Sequence, residues 1–191
     1  TIAYPYCWKE CEVLDNGPLR FTAKLVYNPL VIKGDSNVVE TRVISLDKGS
    51  QLNKTVISYT DLKEVTPIVA GIVIHKENPT GYSFDSNAGY IAYADSTQNP
   101  RNNNGVIYVG AVFPASLNAA KAQLFPEAER KEHGGALGHV LGISDYEPGT
   151  EYVYYWGSGW SKYGFAADTE WTKYLENFAQ QVRNPLTVTV K

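Results

Sequence analysis

Along most of the chain, hydrophobic and polar residues alternate with the two-residue period of a strand. The clearest run is Leu19 to Tyr27, with Phe21, Ala23 and Leu25 on one face and Arg20, Thr22 and Lys24 on the other. That is the pattern of a half-buried antiparallel strand. Before it, residues 2–14 read as a strand, a bend and a second strand, with Pro5 tolerated at a sheet edge. Asn16-Gly17-Pro18 marks a turn. Val38 to Leu46 and Leu52 to Tyr59 are β-rich runs joined by Asp47-Lys48-Gly49-Ser50, which predicts a hairpin. Pro67 to His75 is almost continuously apolar and predicts a strand buried on both faces.

Further along, Lys76 to Asn87 reads as loop, because it carries Asn78-Pro79-Thr80-Gly81. Gly89 to Ala94 and Val106 to Pro114 predict strands, with the polar run Asp95 to Gly105 as a long loop between them. Residues 115–132 predict a short helical or irregular excursion. Ala136 to Ile143, Glu151 to Trp156 and Leu186 to Val190 predict the remaining strands.

Only one segment changes period. From Asp168 to Arg183, Trp171, Tyr174, Leu175, Phe178, Ala179 and Val182 recur at three- and four-residue spacing, which predicts an amphipathic helix. Asp168 is the expected N-cap and Asn184-Pro185 the stop. Ten or more strands with one terminal helix predict an all-β fold, an antiparallel β-sandwich. No internal repeat or linker interrupts it, so one domain over residues 1–191 is expected, with the helix covering a sheet face or edge.

Composition narrows the functional classes. The formal charge is −3 with both signs scattered, so there is no basic stripe for nucleic acid or an anionic membrane. No run of 18 apolar residues predicts a membrane span, and the N-terminus has no signal-peptide core. The chain begins at Thr1 without Met, which suggests a mature form or a fragment. Cys7 and Cys11, four apart, lie roughly 13 Å from each other if extended and have no nearby ligand partners. They read as ordinary thiols.

The aromatic load is high, with 14 Tyr and 4 Trp. It peaks between Tyr152 and Tyr163, where four Tyr and two Trp surround Gly157-Ser158-Gly159, read as a turn. Each of these rings carries a polar group that needs a partner. The stretch is either a core strand followed by a tight turn or an aromatic wall for a flat polar ligand such as a sugar ring. Alternation sets Tyr152, Tyr154 and Trp156 on one face, and Trp160, beyond the glycines, is the best single candidate for a ligand contact.

Three histidines are present. His75 ends an apolar run where strand gives way to loop, and His139 lies between small residues in Gly138-His139-Val140; both are candidate site residues. His133 follows Glu129-Arg130-Lys131-Glu132 and belongs with that charged turn. Arg101 could clamp a carboxylate bidentately. The oxygen-rich loop Asp95 to Asn104 would suit calcium, although such loops are more often plain turns. Phosphate-binding glycine loops, a serine nucleophile elbow and zinc frameworks are missing from the sequence.

Several phrases taken together resemble a known family: Leu14 to Phe21, Ile44 to Leu52, Gly71 to His75, Gly89 to Asp95 and Tyr154 to Ser161. Their order and spacing resemble the bacterial family called domain of unknown function 4861. The resemblance implies a supersandwich, galactose-mutarotase-like and related to aldose epimerases and the β-domains of polysaccharide lyases. It also implies an exported protein from polysaccharide-degradation loci. Family members are about twice this long, so the chain would be the C-terminal part, partnered by a missing N-terminal half. The His acid and Glu base of the epimerases do not align here.

The expected function is therefore a carbohydrate-active protein, an enzyme of hydrolase, lyase or epimerase type acting on uronate-containing oligosaccharides from plant polysaccharides. His75 and His139 would be acid and base. Trp160, Trp156, Arg101, Tyr90 and Asp95 would contact the substrate, with no cofactor or metal. The alternatives are a non-catalytic sugar-binding module and a structural domain packed on a catalytic partner.

Overall fold

The two-residue alternation becomes antiparallel strands nearly everywhere it occurs. The computed structural model describes residues 3–96 and 100–189. In order the strands are β1 (Trp8–Asn16), β2 (Arg20–Tyr27), β3 (Leu30–Ile32), β4 (Asp35–Asp47), β5 (Leu52–Thr60) and β6 (Thr66–Ile74). Then come β7 (Tyr82–Asp85), β8 (Tyr90–Ser96), β9 (Val106–Val112), β10 (Ala119–Leu124), β11 (Gly138–Tyr146) and β12 (Tyr152–Trp160), and the helix α1 (Asp168–Arg183). The fold class expected from the sequence, all-β with open antiparallel sheets in a sandwich-like arrangement and one C-terminal helix, is the one observed.

The contacts divide the chain into two compact units. The first runs to Ile68 and adds Asp145–Trp156. Its sheet has the order β1-β2-β4-β5-β12, with β3 paired to β4. The β4–β5 hairpin sets Glu40 opposite Tyr59, Arg42 opposite Ile57 and Ile44 opposite Thr55. The second unit is Val69–Ser144 with the chain from Gly157 on. It holds the order β12-β9-β8-β7 and a three-stranded sheet β10-β11-β6.

Within the second unit, α1 covers one face of the four-stranded sheet. Trp171, Leu175 and Ala179 are its buried stripe. Gly110 and Gly159 face it, since a Cβ on Gly110 would lie 2.6 Å from Leu175 Cδ1 and one on Gly159 would lie 3.0 Å from Trp171. The three-stranded sheet is packed on from the other side: a Cβ on Gly142 of β11 would lie 2.6 Å from the Phe113 ring. With layers on both faces and neighbours on both edges, β8 is buried from Tyr90 through Ala94.

Several elements differ from the sequence reading, each for a physical reason. The strand covered on both faces is β8; β6 is the edge of its three-stranded sheet and buries only Ile74. Of residues 2–14, those described, from residue 3 on, give one strand, β1, exposed along its whole length. In β2 the alternation is real but the burial is not, because Thr22 to Tyr27 are all intermediate. The 76–87 loop contains β7, paired to β8, and the 115–132 excursion contains β10, paired to β11. Residues 186–189 form no strand, and Val190 lies outside the described residues. The helix has the expected bounds, but its N-cap is Ala167 in extended geometry. Asp168 is already inside the first turn, and the Glu170 carboxylate accepts the Ala166 N–H at 2.7 Å. Cys7 and Cys11 are free and exposed, as expected of ordinary thiols.

Candidate functional site

His75 stands just beyond β6, where the chain leaves the sheet, and its position is fixed from the backbone up. Its N–H donates to the Tyr93 hydroxyl at 3.0 Å, and that hydroxyl donates to the Asn78 carbonyl at 3.0 Å. The Asn78 amide in turn donates to the Ala94 carbonyl at 2.7 Å. The loop after His75 is thus tied to β8, and β8 carries Asp95 to the imidazole. His75 Nδ1 lies 3.0 Å from both Asp95 carboxylate oxygens. A carboxylate accepts and does not donate, so Nδ1 carries the proton and Nε2 of the neutral ring is left as a base. The His75 side chain is 47% exposed and that of Asp95 23%, so the pair meets solvent without being loose in it.

The strand registers bring Trp160 to the same sheet face. Ala92 pairs with Gly110, which faces the helix. Asp95, of opposite parity, therefore lies on the helix-free face. Gly159 also faces the helix, so Trp160 takes the helix-free face too. The Ser161 N–H donates to the Val106 carbonyl, and Val106 pairs with Ser96. One step along each strand, Trp160, Ile107 and Asp95 therefore form a row across three strands. Two strand spacings, about 10 Å, separate the indole's strand from the carboxylate's, with Ile107 on the strand between them. The indole N–H is already satisfied, donating to the Asn104 carbonyl at 2.7 Å, while 42% of the residue stays exposed.

Of the other expected site residues, His139 and Tyr90 lie elsewhere. His139, on β11, has its ring edge-on to Phe125 at 5.1 Å, and Phe125 stacks on His133 at 3.9 Å. Burial, then the neighbouring His133, lowers the His139 pKa below its usual value. The contacts of His139 and of His75 have no residue in common among those described. Tyr90 is 6% exposed, and burial first, then Glu176 and Asp85, raises its phenol pKa. Arg101 is exposed on a short 3-10 turn (Pro100–Asn102) and makes no ion pair among the described residues. Of the loop proposed for calcium, residues 97–99 lie outside the described residues. Among those described, no three acidic, His or Cys side chains are gathered for a metal.

Trp156 belongs to the first unit and has company that the sequence reading missed. Its indole N–H donates to Thr55 Oγ1 at 2.7 Å. On the same face of β4 and β5, Glu40 is 2% exposed. Its carboxylate accepts from Arg42 Nε and, at 2.8 Å, from the Tyr59 hydroxyl. Arg42 lies over the Tyr27 ring, 5.1 Å from its centroid. Burial and then Glu40 push the Tyr59 phenol well up, and burial raises Tyr154. Burial works against the Arg42 charge, but Glu40 outweighs it and the guanidinium pKa rises. The signal was legible: Val38, Glu40, Arg42 and Ile44 share one face of a strand, so two charges stand where the alternation calls for core.

Residues 1–188 match a family described as "Domain of unknown function (DUF4861)". The chain belongs to this family. No curated protein and no solved structure matches it. An imidazole held by a carboxylate can take a proton from, or return it to, a group placed at Nε2. The second unit also has a cleft of about 400 Å³ between α1 and β7, lined by Tyr82, Tyr108, Asp168, Trp171 and Lys173 among others. None of the expected site residues lines it.

Proposed function

We propose that this chain is a carbohydrate-active enzyme in which His75, oriented by Asp95, is the proton-transfer residue and Trp160 the platform for a sugar ring. The observation that carries the reading is the arrival of a His–carboxylate pair and a half-exposed indole on one sheet face, from three separate stretches of sequence. A sugar offers an apolar C–H face to an indole and hydroxyls or an acidic carbon to a base. An aromatic wall with a few converging polar groups is the usual form of such a site. Uronate-containing oligosaccharides are the substrate class put forward, with Arg101 the nearest cation in sequence to Asp95 for the carboxylate.

The test is turnover of uronate oligosaccharides, followed by mass spectrometry and NMR of the products. His75→Ala should lower the rate by roughly a hundredfold or more. Asp95→Asn should leave the ring in place but release its tautomer, with a smaller loss. Full activity in His75→Ala would remove the assignment. Binding without any chemical change would favour a non-catalytic sugar-binding module, a reading that the fixed, half-exposed Trp156 of the first unit also supports.

A further inference from the structure

We infer that the Trp156 face of the first unit is a second sugar site, and that it takes a neutral ring in preference to a uronate. Trp156 is 40% exposed, yet its one polar atom is spent on Thr55 Oγ1, inside the sheet. An indole so fixed has an apolar face for a ligand and makes no demand on the ligand for a hydrogen bond. Thr55 lies opposite Ile44, one step along the same face from Arg42. Tyr154 also hydrogen-bonds Thr55, and the charged donor on this face is the Arg42 guanidinium, two strands from the indole's own, 26% exposed and steadied by Tyr27 and Glu40.

The charge balance decides the ligand class. Glu40 is buried, and both of its oxygens are engaged by Arg42 and Tyr59, so it is unavailable to a ligand and offsets the Arg42 charge. A ligand carboxylate roughly 4 Å from the guanidinium would stand roughly 7 Å from that of Glu40. By the inverse-distance law more than half of its attraction would be cancelled. A hydroxyl pair loses nothing of this kind and still receives charge-assisted hydrogen bonds. A neutral polyol face on Trp156, with hydroxyls toward Arg42, is what the pair is built to hold. This inference stands whether or not the His75–Asp95 pair catalyses a reaction.

The experiment is calorimetric titration of the whole chain with neutral galactan, arabinan and xylan tetrasaccharides and with tetragalacturonate. At least one neutral tetrasaccharide should bind about tenfold or more tightly than tetragalacturonate. Trp156→Ala should weaken it by about tenfold. Arg42→Gln alone would strand a buried carboxylate, so the test pairs it with Glu40→Gln, which keeps the shape of the cluster. The double variant should fold, weaken neutral binding and leave no preference over the uronate. The inference is overturned if no neutral tetrasaccharide binds, if tetragalacturonate binds as tightly, or if Trp156→Ala leaves the neutral affinity unchanged.

Discussion

A single imidazole shows how burial becomes a pH dependence. The His139 ring makes an edge contact with Phe125, Phe125 stacks on His133, and burial, then His133, lowers the His139 pKa below the ordinary 6.5. The unfolded chain therefore binds the His139 proton more readily than the folded chain does. Stability is intact above about pH 6.5 and falls as the pH drops from there toward the folded pKa. Urea unfolding between about pH 7.5 and about pH 5.5 should show this loss, and His139→Gln should flatten it by removing the titration. An unchanged slope in the variant would assign the acid sensitivity to other groups. The residue stands out in the sequence for its small neighbours, but its packing partners, Phe125 and His133, sit in the connection between β10 and β11, outside the strand pattern around it. Glu40 and Arg42 were open to the opposite inference: charges on the inward parity of a strand can be read without a structure.

At the scale of elements, periodicity gave the helix its bounds and most strands their places, but it misjudged what covers them. Pro67 to His75 looks doubly buried because apolar content says nothing about whether a strand is central or at an edge, and β6 is an edge. Gly157-Ser158-Gly159 reads as a turn, yet lies inside β12. Glycine is used at Gly159 because Phe165 and Trp171 occupy the space of a side chain. Gly110 serves the same packing from β9. A methyl there would lie 2.6 Å from Leu175 Cδ1 and 3.0 Å from Trp171 Nε1, and Leu175 is fully buried, so neither can yield freely. Gly110→Ala should destabilise by about 1–3 kcal/mol through overpacking. Leu175→Ala should cost about 2–4 kcal/mol through a cavity. Combined, the two should cost less than their sum, because the new methyl partly fills the space the leucine left. Denaturant unfolding of the single and double variants measures this. Strict additivity would mean that β9 and α1 do not meet as described.

For the molecule as a whole, the useful contrast is between strands that are hydrogen-bonded alike and covered very differently. In the second unit β8 is paired on both edges and buried from Tyr90 through Ala94. In the first, β1 is paired among the described residues only to β2, and every one of its residues is exposed. Opening β1 sacrifices one ladder of hydrogen bonds that water can replace. Opening β8 exposes a layer of core on each face as well, and apolar burial is the larger stabilising term. Native-state hydrogen exchange should therefore rank the amides of β8 and β9 slowest in the second unit, and those of β4 and β5 ahead of β1 in the first. The interval between β8 and β1 should reach at least about a hundredfold in protection. Leu175→Ala should speed exchange in β8 and β9, because α1 is the cover of that face. Amides of β1 as protected as those of β8 would show that something further covers the first strand. Trp8, Val13, Leu14 and Phe21, all more than 40% exposed, would then be the residues to examine for it.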